Sequence, residues 1–431
     1  MSGLRVLVVG SGAREHALAW RLAGESEVGH VLCAPGNPLM TDVAQVLPDV
    51  GLEDHATVVE LARGERVDLV VVGPEAPLVA GLADKLGAAG IACFGPSAAA
   101  AGLEGSKAFA REICTAAGVS MADGRAFDDL APAVAFAHSL GGRVVVKADG
   151  LAAGKGVTMC QSLSEAVDAL REALHGERFG AAGHRVVVEE WLPGVEASVI
   201  ALCDGRRAAV LPAARDHKRL GEADSGPNTG GMGAYSPVPE IDDETLRLIA
   251  SSVFEPVLAE MAERGTPFRG ALFAGLMLTA AGPRVLEFNV RLGDPETQAI
   301  LPRLTAPLAP LLLASAIGEL PAGATIVAFD PGATVALTLA SAGYPESPRS
   351  GDSIHGLDAA RQAGALVFGG GVRTDGLDGL VTAGGRVLTV VGRGADVEAA
   401  ARTAHAAAEL VTFEGKVVRG DIGRALAGAA A

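Results

Sequence analysis

The sequence predicts a multidomain protein of mixed α/β and α+β type that opens with a parallel sheet and closes with a smaller α+β unit. Three observations carry this. Between residues 4 and 97, four short apolar runs each end in a glycine-containing turn, as parallel strands do where they feed helices. At 144–160, two apolar runs flank the glycine-rich stretch ADGLAAGKG, a pattern for antiparallel strands joined by a loop whose amides can cover phosphates. At 285–296, VLEFNVRLGDPE alternates polar with apolar side chains at the period of a half-buried strand.

Composition narrows the class. The chain has 431 residues, 49% of them hydrophobic, which is core material for roughly two to four domains. Its 57 glycines and 4% aromatic content predict tight turns and cores of small aliphatic side chains. A formal charge of −16 argues against a nucleic-acid partner, whose phosphates need a basic surface. A small phosphorylated ligand remains compatible, because local amides and a few cations can bind it inside an acidic protein. The five cysteines, Cys33, Cys93, Cys114, Cys160 and Cys203, are scattered without metal-ligand spacing and read as reduced thiols of a cytoplasmic protein. The first residues run straight into a strand, so no signal peptide is expected. No apolar run approaches the ~18 residues of a membrane span.

In chain order, the strand at 4–9 is followed by Gly10-Ser11-Gly12 and a helical pattern over 13–23. Strand, glycine turn and helix place backbone N–H groups against an anion. The third glycine of a dinucleotide fingerprint is missing, because Glu15 stands there. Strands at 31–34, 68–72 and 91–94 end in Pro35-Gly36-Asn37, Gly73-Pro74-Glu75 and Gly95-Pro96-Ser97. Together these ends predict a Rossmann-like sheet with a ligand crevice at its carboxyl edge, although glycine and proline also punctuate ordinary turns. Ser106 caps a helix to Ala117, with Lys107 in a first turn whose dipole disfavours a cation and suits an anionic partner.

The loop 149–156 carries Gly154, Lys155 and Gly156, with Lys147 on the strand before it. It is not a Walker A loop, since no helix follows. Ser162 and Glu165 form a capping box for a helix to about Leu174. The strand 185–191 ends in Glu189-Glu190-Trp191-Leu192-Pro193-Gly194, and Glu196 opens the next strand, 195–203. Such a turn can offer backbone groups to an adenine edge and an acid to a ribose, though paired surface glutamates would look the same. Residues 213–235 show little periodicity and mix Asp216, His217, Lys218 and Arg219 with GPNTGGMG, which predicts a long active-site loop. An amphipathic helix is expected at 243–263 and paired strands at 271–279 and 284–292.

On the second of these strands Glu287, Asn289 and Arg291 share one face, with Leu286, Phe288, Val290 and Leu292 on the other. Carboxylate, amide oxygen and guanidinium at that spacing suit a hard cation and the phosphates that share it, but also a plain solvated face. Asp294 and Pro295 then read as the cap and first turn of a helix. From about residue 334, strands at 334–340, 365–368 and 386–391 and a helix at 396–411 read as a separate α+β unit without concentrated chemistry.

Taken together, GSGAREHALAW, APGNP, VGPEAPL, LEGSKAF, VVKADGLAAGKGV, VVVEEWLPGVEAS, DHKR, GPNTGGMGAYSPVP and EFNVRLGDPETQ resemble the phosphoribosylamine–glycine ligases, ATP-grasp enzymes of purine biosynthesis. The matching stretches run almost end to end and in order. Trp191 stands where that family usually has Phe.

The resemblance implies an N-terminal Rossmann-like substrate domain at 1–104, a joining helix at 105–122 and an ATP-grasp lid at 123–193. The ATP-grasp body with a metal site would follow at 194–328, and a C-terminal α+β domain at 329–431. It implies a ligase that activates glycine as glycyl phosphate and passes it to 5-phosphoribosylamine, giving glycinamide ribonucleotide, ADP and phosphate. Glu287 and Asn289 would hold Mg²⁺ or Mn²⁺. Lys107, Lys147, Gly154, Lys155 and Gly156 would hold the ATP phosphates. Glu189, Glu190, Trp191 and Leu192 would face adenine, and Glu196 the ribose. Arg291, Lys147, Asp216, His217 and Lys218 would be catalytic. Gly10, Ser11, Gly12, Gly36, Asn37, Gly73, Pro74 and Glu75 would bind phosphoribosylamine, and Asp294 would also be substrate-binding. A monomer acting on small molecules in the cytoplasm, with no membrane or nucleic-acid partner, is expected.

Three rivals remain on the residues. An ATP-grasp ligase using formate or bicarbonate is disfavoured by GPNTGGMGAYSP. A nicotinamide-dependent dehydrogenase would need an acid near the end of the second strand, where Pro35-Gly36-Asn37 stands. A non-catalytic nucleotide-binding module would not need the metal pair.

Overall fold

The computed structural model describes residues 3–150, 156–176, 183–322, 325–377 and 379–424. The first apolar runs form a five-stranded, all-parallel sheet. Its spatial order is Gln45–Val46, Val28–Pro35, Leu4–Gly10, Leu69–Val72, Ala92–Phe94. The order reverses beside Leu4–Gly10, so the carboxyl ends of Leu4–Gly10 and Leu69–Val72 open a crevice there. Helix Ala13–Ala23 follows the first strand as expected and buries Ala17, Leu18 and Leu22 against the sheet.

The stretch expected to be the lid holds a four-stranded antiparallel sheet ordered Gly124–Phe127, Val186–Glu190, Val144–Ala148, Val157–Cys160. Helices Leu130–Ser139 and Leu163–His175 cover it with a small alanine-rich core. Ser162 caps the second of these through the Glu165 N–H, while the Glu165 carboxylate accepts from Gln161 N–H at 2.9 Å, one residue further back than a capping box requires.

The body sheet is antiparallel and ordered Ala208–Val210, Val195–Asp204, Arg269–Thr279, Gly282–Asn289. The predicted long helix bends into three pieces. Asp243–Ile249 and Glu255–Glu263 are α-helical, and Ala250–Phe254 between them is a π-turn in which Glu255 N–H reaches back to Ala250 O. Pro256 has no N–H to continue the α ladder, which accounts for the wider turn at that point.

Two sequence expectations need correction. Residues 213–235 are not one structureless loop. Arg215–Asp216 and Gly233–Ser236 are strands, and Arg219–Gly221 pairs with Ser225–Asn228 as a short hairpin. Periodicity failed because each strand is only two to four residues long. The C-terminal unit is likewise not separate. Its sheet runs Arg215–Asp216, Gly233–Ser236, Ala333–Ala340, Arg386–Gly394, Leu366–Gly369, so two of five strands come from that stretch. Helix Val397–Leu410 lies on this sheet, with Gly392 and Gly394 leaving room for its backbone.

The N-terminal sheet and the body share their apolar cores. One cluster joins Leu7 and Val70 to Phe254 and Phe288, and another joins Val8 and Phe94 to Phe273 and Leu312. The crevice at the parallel sheet is thus fixed against the body strand that carries Glu287.

Candidate active site

Strand Gly282–Asn289 positions the centre of the site. A bulge at Leu286 breaks the alternation: Leu276 pairs with Val285 and Gly275 with Glu287. Val285, Phe288 and Val290 therefore enter the main core, while Leu286, expected there, joins Ala122, Leu192 and Met277 in a small apolar cluster beside the lid. The strand also ends at Asn289 rather than at 292.

Glu287, Asn289 and Arg291 are brought together with the lysines. Lys218 Nζ lies 3.4 Å from Glu287 Oε1 and 3.5 Å from Glu196 Oε2. Lys218, then Lys147 and Lys107, hold the Glu287 carboxyl down to about 2 despite its burial. Lys147 Nζ donates to Leu286 O at 2.8 Å and pairs with Glu189 Oε2 at 2.6 Å. Glu189 is also held by Arg111 at 2.6 Å, so its carboxylate is engaged by two cations. Lys107 Nζ donates to Gly150 O at 3.3 Å, and burial lowers its pKa against the pull of Glu287. The helix it starts is capped by Ser106, and Asp149 accepts from both Ser106 Oγ and the Ala108 N–H, tying the lid loop to that helix.

Arg291 sits 3.3 Å from Glu75 Oε2 and from Asn289 Oδ1, and 3.7 Å from Glu104 Oε1. Burial opposes its charge, but Glu104 and Glu75 outweigh that and raise its pKa. Asp216 and Lys218, two residues apart, face the Glu287 side, and burial with Glu296 and Glu196 pushes the Asp216 carboxyl up to about 7 against Lys218. His217 points the other way. Its Nδ1 is 3.7 Å from Asp224, which buried Arg419 also holds, and its Nε2 is buried without a hydrogen-bond partner among the described residues.

Of the residues expected at adenine, Leu192 lies in the Leu286 cluster. The Trp191 ring lies outside it, with the Arg143 guanidinium 4.1 Å above. Glu190 accepts from Asp123 N–H and pairs with Arg284 at 2.9 Å. Gly156 pairs its carbonyl with Ala148 N–H. Gly154 and Lys155 lie outside the described residues.

At the N-terminal crevice, the Gly12 N–H expected to meet a phosphate is taken by Glu15 Oε2 at 2.7 Å. Asn37, also expected at the substrate, spends its amide on the fold: Nδ2 donates to Ser11 O and Gly369 O, and Oδ1 accepts from Leu39 N–H. Gly36 holds the left-handed turn before it, with φ +66°. Gly73, Pro74 and Glu75 lead into helix Glu75–Val79 and carry Glu75 to Arg291. Asp294 is not a helix cap. Helix Glu296–Ile300 starts without a side-chain cap, and Asp294 instead accepts from Gln298 at 2.7 Å and from Arg386 at 2.9 Å.

Sequence reasoning missed Glu104, Arg111 and Arg386. Glu104 had a signal: it lies in the last turn of helix Ala98–Gly105, where the dipole disfavours an acid, and it accepts from Val290 N–H at 2.7 Å. Arg386 comes from the C-terminal unit, and besides Asp294 Oδ2 it donates to Gly230 O and Asp294 O, both at 2.7 Å.

A hard divalent cation fits this donor set. Glu287 and Asn289 offer oxygen ligands, and no group of three or more metal-binding His, Cys, Asp or Glu occurs among the described residues. No helix among the described residues is long and apolar enough to cross a membrane.

Three family models match in order: the phosphoribosylglycinamide synthetase N domain over residues 4–104, its ATP-grasp (A) domain over 105–297 and its C domain over 334–425. A phosphoribosylamine–glycine ligase of Rhizobium meliloti is 47% identical over 97% of this chain and 98% of its own. One from Allochromatium vinosum is 46% identical over 98% and 99%. The crystal structure of a phosphoribosylamine–glycine ligase from Thermotoga maritima superposes with a TM-score of 0.84 at 34% identity, covering 97% of this chain and all of that one. The biotin carboxylase domain of a Hydrogenobacter thermophilus 2-oxoglutarate carboxylase shares the fold, with a TM-score of 0.69 at 17% identity over 97% of this chain and 92% of that one.

Proposed function

This chain belongs to the phosphoribosylglycinamide synthetase family, and from that premise we propose how its residues perform the reaction. The enzyme is a phosphoribosylamine–glycine ligase of purine biosynthesis. Glycine's carboxylate takes the γ-phosphoryl group of ATP, which turns a poor electrophile into glycyl phosphate and releases ADP. The amine of 5-phosphoribosylamine then attacks the acyl carbon and expels phosphate.

Such transfers need positioning and neutralisation of charge more than covalent help from the protein. Lys107 and Lys147, with the loop 149–156, hold the ATP phosphates. Leu192 and Leu286 close on adenine, the Glu190–Leu192 backbone meets its edge, and Glu196 takes the ribose. Glu287 and Asn289 hold Mg²⁺ or Mn²⁺, which when bound would neutralise phosphate charge. Arg291, held by Glu75 and Glu104, would orient the glycine carboxylate against the γ-phosphate. Asp216, whose carboxyl burial pushes up to about 7, would accept a proton from the attacking amine. Lys218 faces the same centre. His217 supports this stretch from behind through Asp224. Glu75 and Asp294 line the phosphoribosylamine crevice.

The observation that carries this reading is the convergence of Glu287, Asn289, Arg291 and three lysines from three separate segments at the mouth of that crevice. A formal charge of −16 supports small molecules, not nucleic acid, as partners, and a monomer suffices for the site. Five free thiols fit the cytoplasm.

Phosphate release from ATP by the purified protein tests the reading. Release should require glycine, 5-phosphoribosylamine and a divalent cation together. Turnover with formate or bicarbonate in place of glycine would overturn it.

A further inference from the structure

Gly10, Ser11 and Gly12 turn the first strand into the first helix, where related folds hold a ligand phosphate on backbone N–H groups. In this chain the turn already contains an anion. Glu15 is 2% exposed, and its carboxylate accepts from Gly12 N–H at 2.7 Å. Its side chain fills the space the glycines leave. A Cβ on Gly10 would come within 2.5 Å of Glu15 Cγ, one on Gly12 within 2.7 Å of Oε2, and one on Gly73 within 1.9 Å of Oε1. Three glycines from two strands therefore form a cradle for a residue of the same chain. The other oxygen, Oε1, pairs at 2.6 Å with Arg14 Nε, and Arg14 is itself 7% exposed. Arg14 Nη1 donates at 3.1 Å to the carbonyl of Leu292, the residue directly after Arg291.

We propose that Glu15 is a built-in counter-anion: it takes the place of a phosphate in the glycine turn, and through Arg14 it fixes the backbone that carries Arg291. Two consequences follow. The turn is closed to the phosphate of any substrate, so phosphoribosylamine must place its phosphate elsewhere in the crevice. Glu15 is also a positioning residue for the ligation, acting through Arg14 and Leu292 without touching a reactant. Sequence already marks the substitution, since Glu15 stands where a third glycine would complete the dinucleotide fingerprint.

The kinetic arm of the test rests on the ligase reading above; a binding arm does not. Glu15→Gln keeps shape and an acceptor for Gly12 N–H but removes the charge facing Arg14. Turnover should fall by about tenfold or more, with the KM for ATP within about twofold and the melting temperature within a few degrees of wild type. Glu15→Gly empties the cradle. Sulfate at millimolar concentration, chosen because it is not a reaction product, should raise the melting temperature of Glu15→Gly more than that of wild type. It should also restore part of the variant's turnover while giving the wild type none. Wild-type turnover in Glu15→Gln overturns the positioning role. A folded Glu15→Gly that sulfate neither stabilises nor rescues overturns the counter-anion. If Glu15→Gly does not fold, the turnover of Glu15→Gln decides alone. A wild-type protein inactive with glycine and phosphoribosylamine would instead refute the ligase reading, leaving the sulfate shift to judge Glu15.

Discussion

Replacing Glu287 by Gln removes one negative charge from a group facing three lysines. A carboxylate placed for a cation is often costly while the cation is absent, so such a change can stabilise the empty protein. The structure argues the opposite sign here. Lys218 at 3.4 Å, with Lys147 and Lys107 behind it, holds the Glu287 carboxyl down from its ordinary 4.5 to about 2. At ~1.4 kcal/mol per tenfold change in acidity, that corresponds to ~3 kcal/mol. The side chain is 30% exposed, and screening by solvent reduces the figure to roughly 1–2 kcal/mol. The folded-state pKa is depressed, so this stability is fully present above 4.5 and is lost as pH falls toward about 2. A 431-residue chain unfolds with ~0.9 kcal/mol per kelvin of entropy, so Glu287→Gln should melt roughly 2 °C lower at pH 7. The deficit should shrink as pH falls below about 4. Melting curves at pH 7 and pH 3.5 without nucleotide measure both. The same variant, assayed against Mg²⁺ concentration, should lose ligase activity or demand far more metal. An unchanged or raised melting temperature at pH 7 would refute the electrostatic argument, and normal turnover at ordinary Mg²⁺ would reduce the strand to scaffold.

Phe288→Ala should behave in reverse, since Phe288 is 3% exposed in the shared core: it should cost about 3–5 kcal/mol in denaturant titration while metal dependence stays ordinary. Arg291→Lys keeps the charge but loses the planar fork spanning Glu75 and Glu104, so turnover should drop with an unchanged Mg²⁺ midpoint. Asp216→Asn should stabilise the protein on the alkaline side only. Burial raises this carboxyl from 3.8 to about 7, so ionising it opposes folding, and the gain in melting temperature should be absent below about 4 and grow up to about 7. Lys107→Ala should raise the KM for ATP more than that for phosphoribosylamine, because the Lys107 ammonium lies beside Lys147 and Glu287, the groups proposed to meet the ATP phosphates and their metal.

Elements with their own local signals were legible before any coordinates. Helix Ala13–Ala23 and the Ser106 cap of helix Lys107–Ala116 lie where pattern and cap placed them. The lid strands Val144–Ala148 and Val157–Cys160 pair as expected across the glycine loop. What sequence reasoning lost depended on distant partners. Alternation along 285–292 placed Leu286 in the main core, but a bulge set by pairing with Arg269–Thr279 moved it beside the lid. Asp294 had every local feature of a cap, yet Arg386, 92 residues away, claims its carboxylate. Asn37 looked like a ligand-binding amide, but Gly369, 332 residues away, uses it to join the first and last sheets. Local rules cannot anticipate a partner that only the tertiary fold supplies.

The same distant pairing bears on how substrate binds. Nearly every cation proposed to meet a phosphate or carboxylate already has an acid: Lys147 has Glu189, Lys218 has Glu287 and Glu196, and Arg291 has Glu75 and Glu104. An entering triphosphate therefore meets cations whose charge is largely spent, and drawing one toward it exposes a buried acid without a partner. That exchange is unfavourable where the acid is buried, as Glu189 and Glu104 are, because an uncompensated carboxylate there costs more than the new pair returns. Glu287, if it held a divalent cation brought with the nucleotide, would no longer need Lys218, which would then be free to turn toward the substrates. Affinity for ATP should accordingly depend steeply on the metal in the wild type. The dependence should weaken in a Glu287→Gln, Lys218→Met double variant, where neither the acid nor its partner needs compensation. Titration of both proteins with ATP, with and without Mg²⁺, compares the two dependences directly. An equal metal effect in both would mean that the metal serves the phosphates alone and that the resident pairs have no part in admitting the nucleotide.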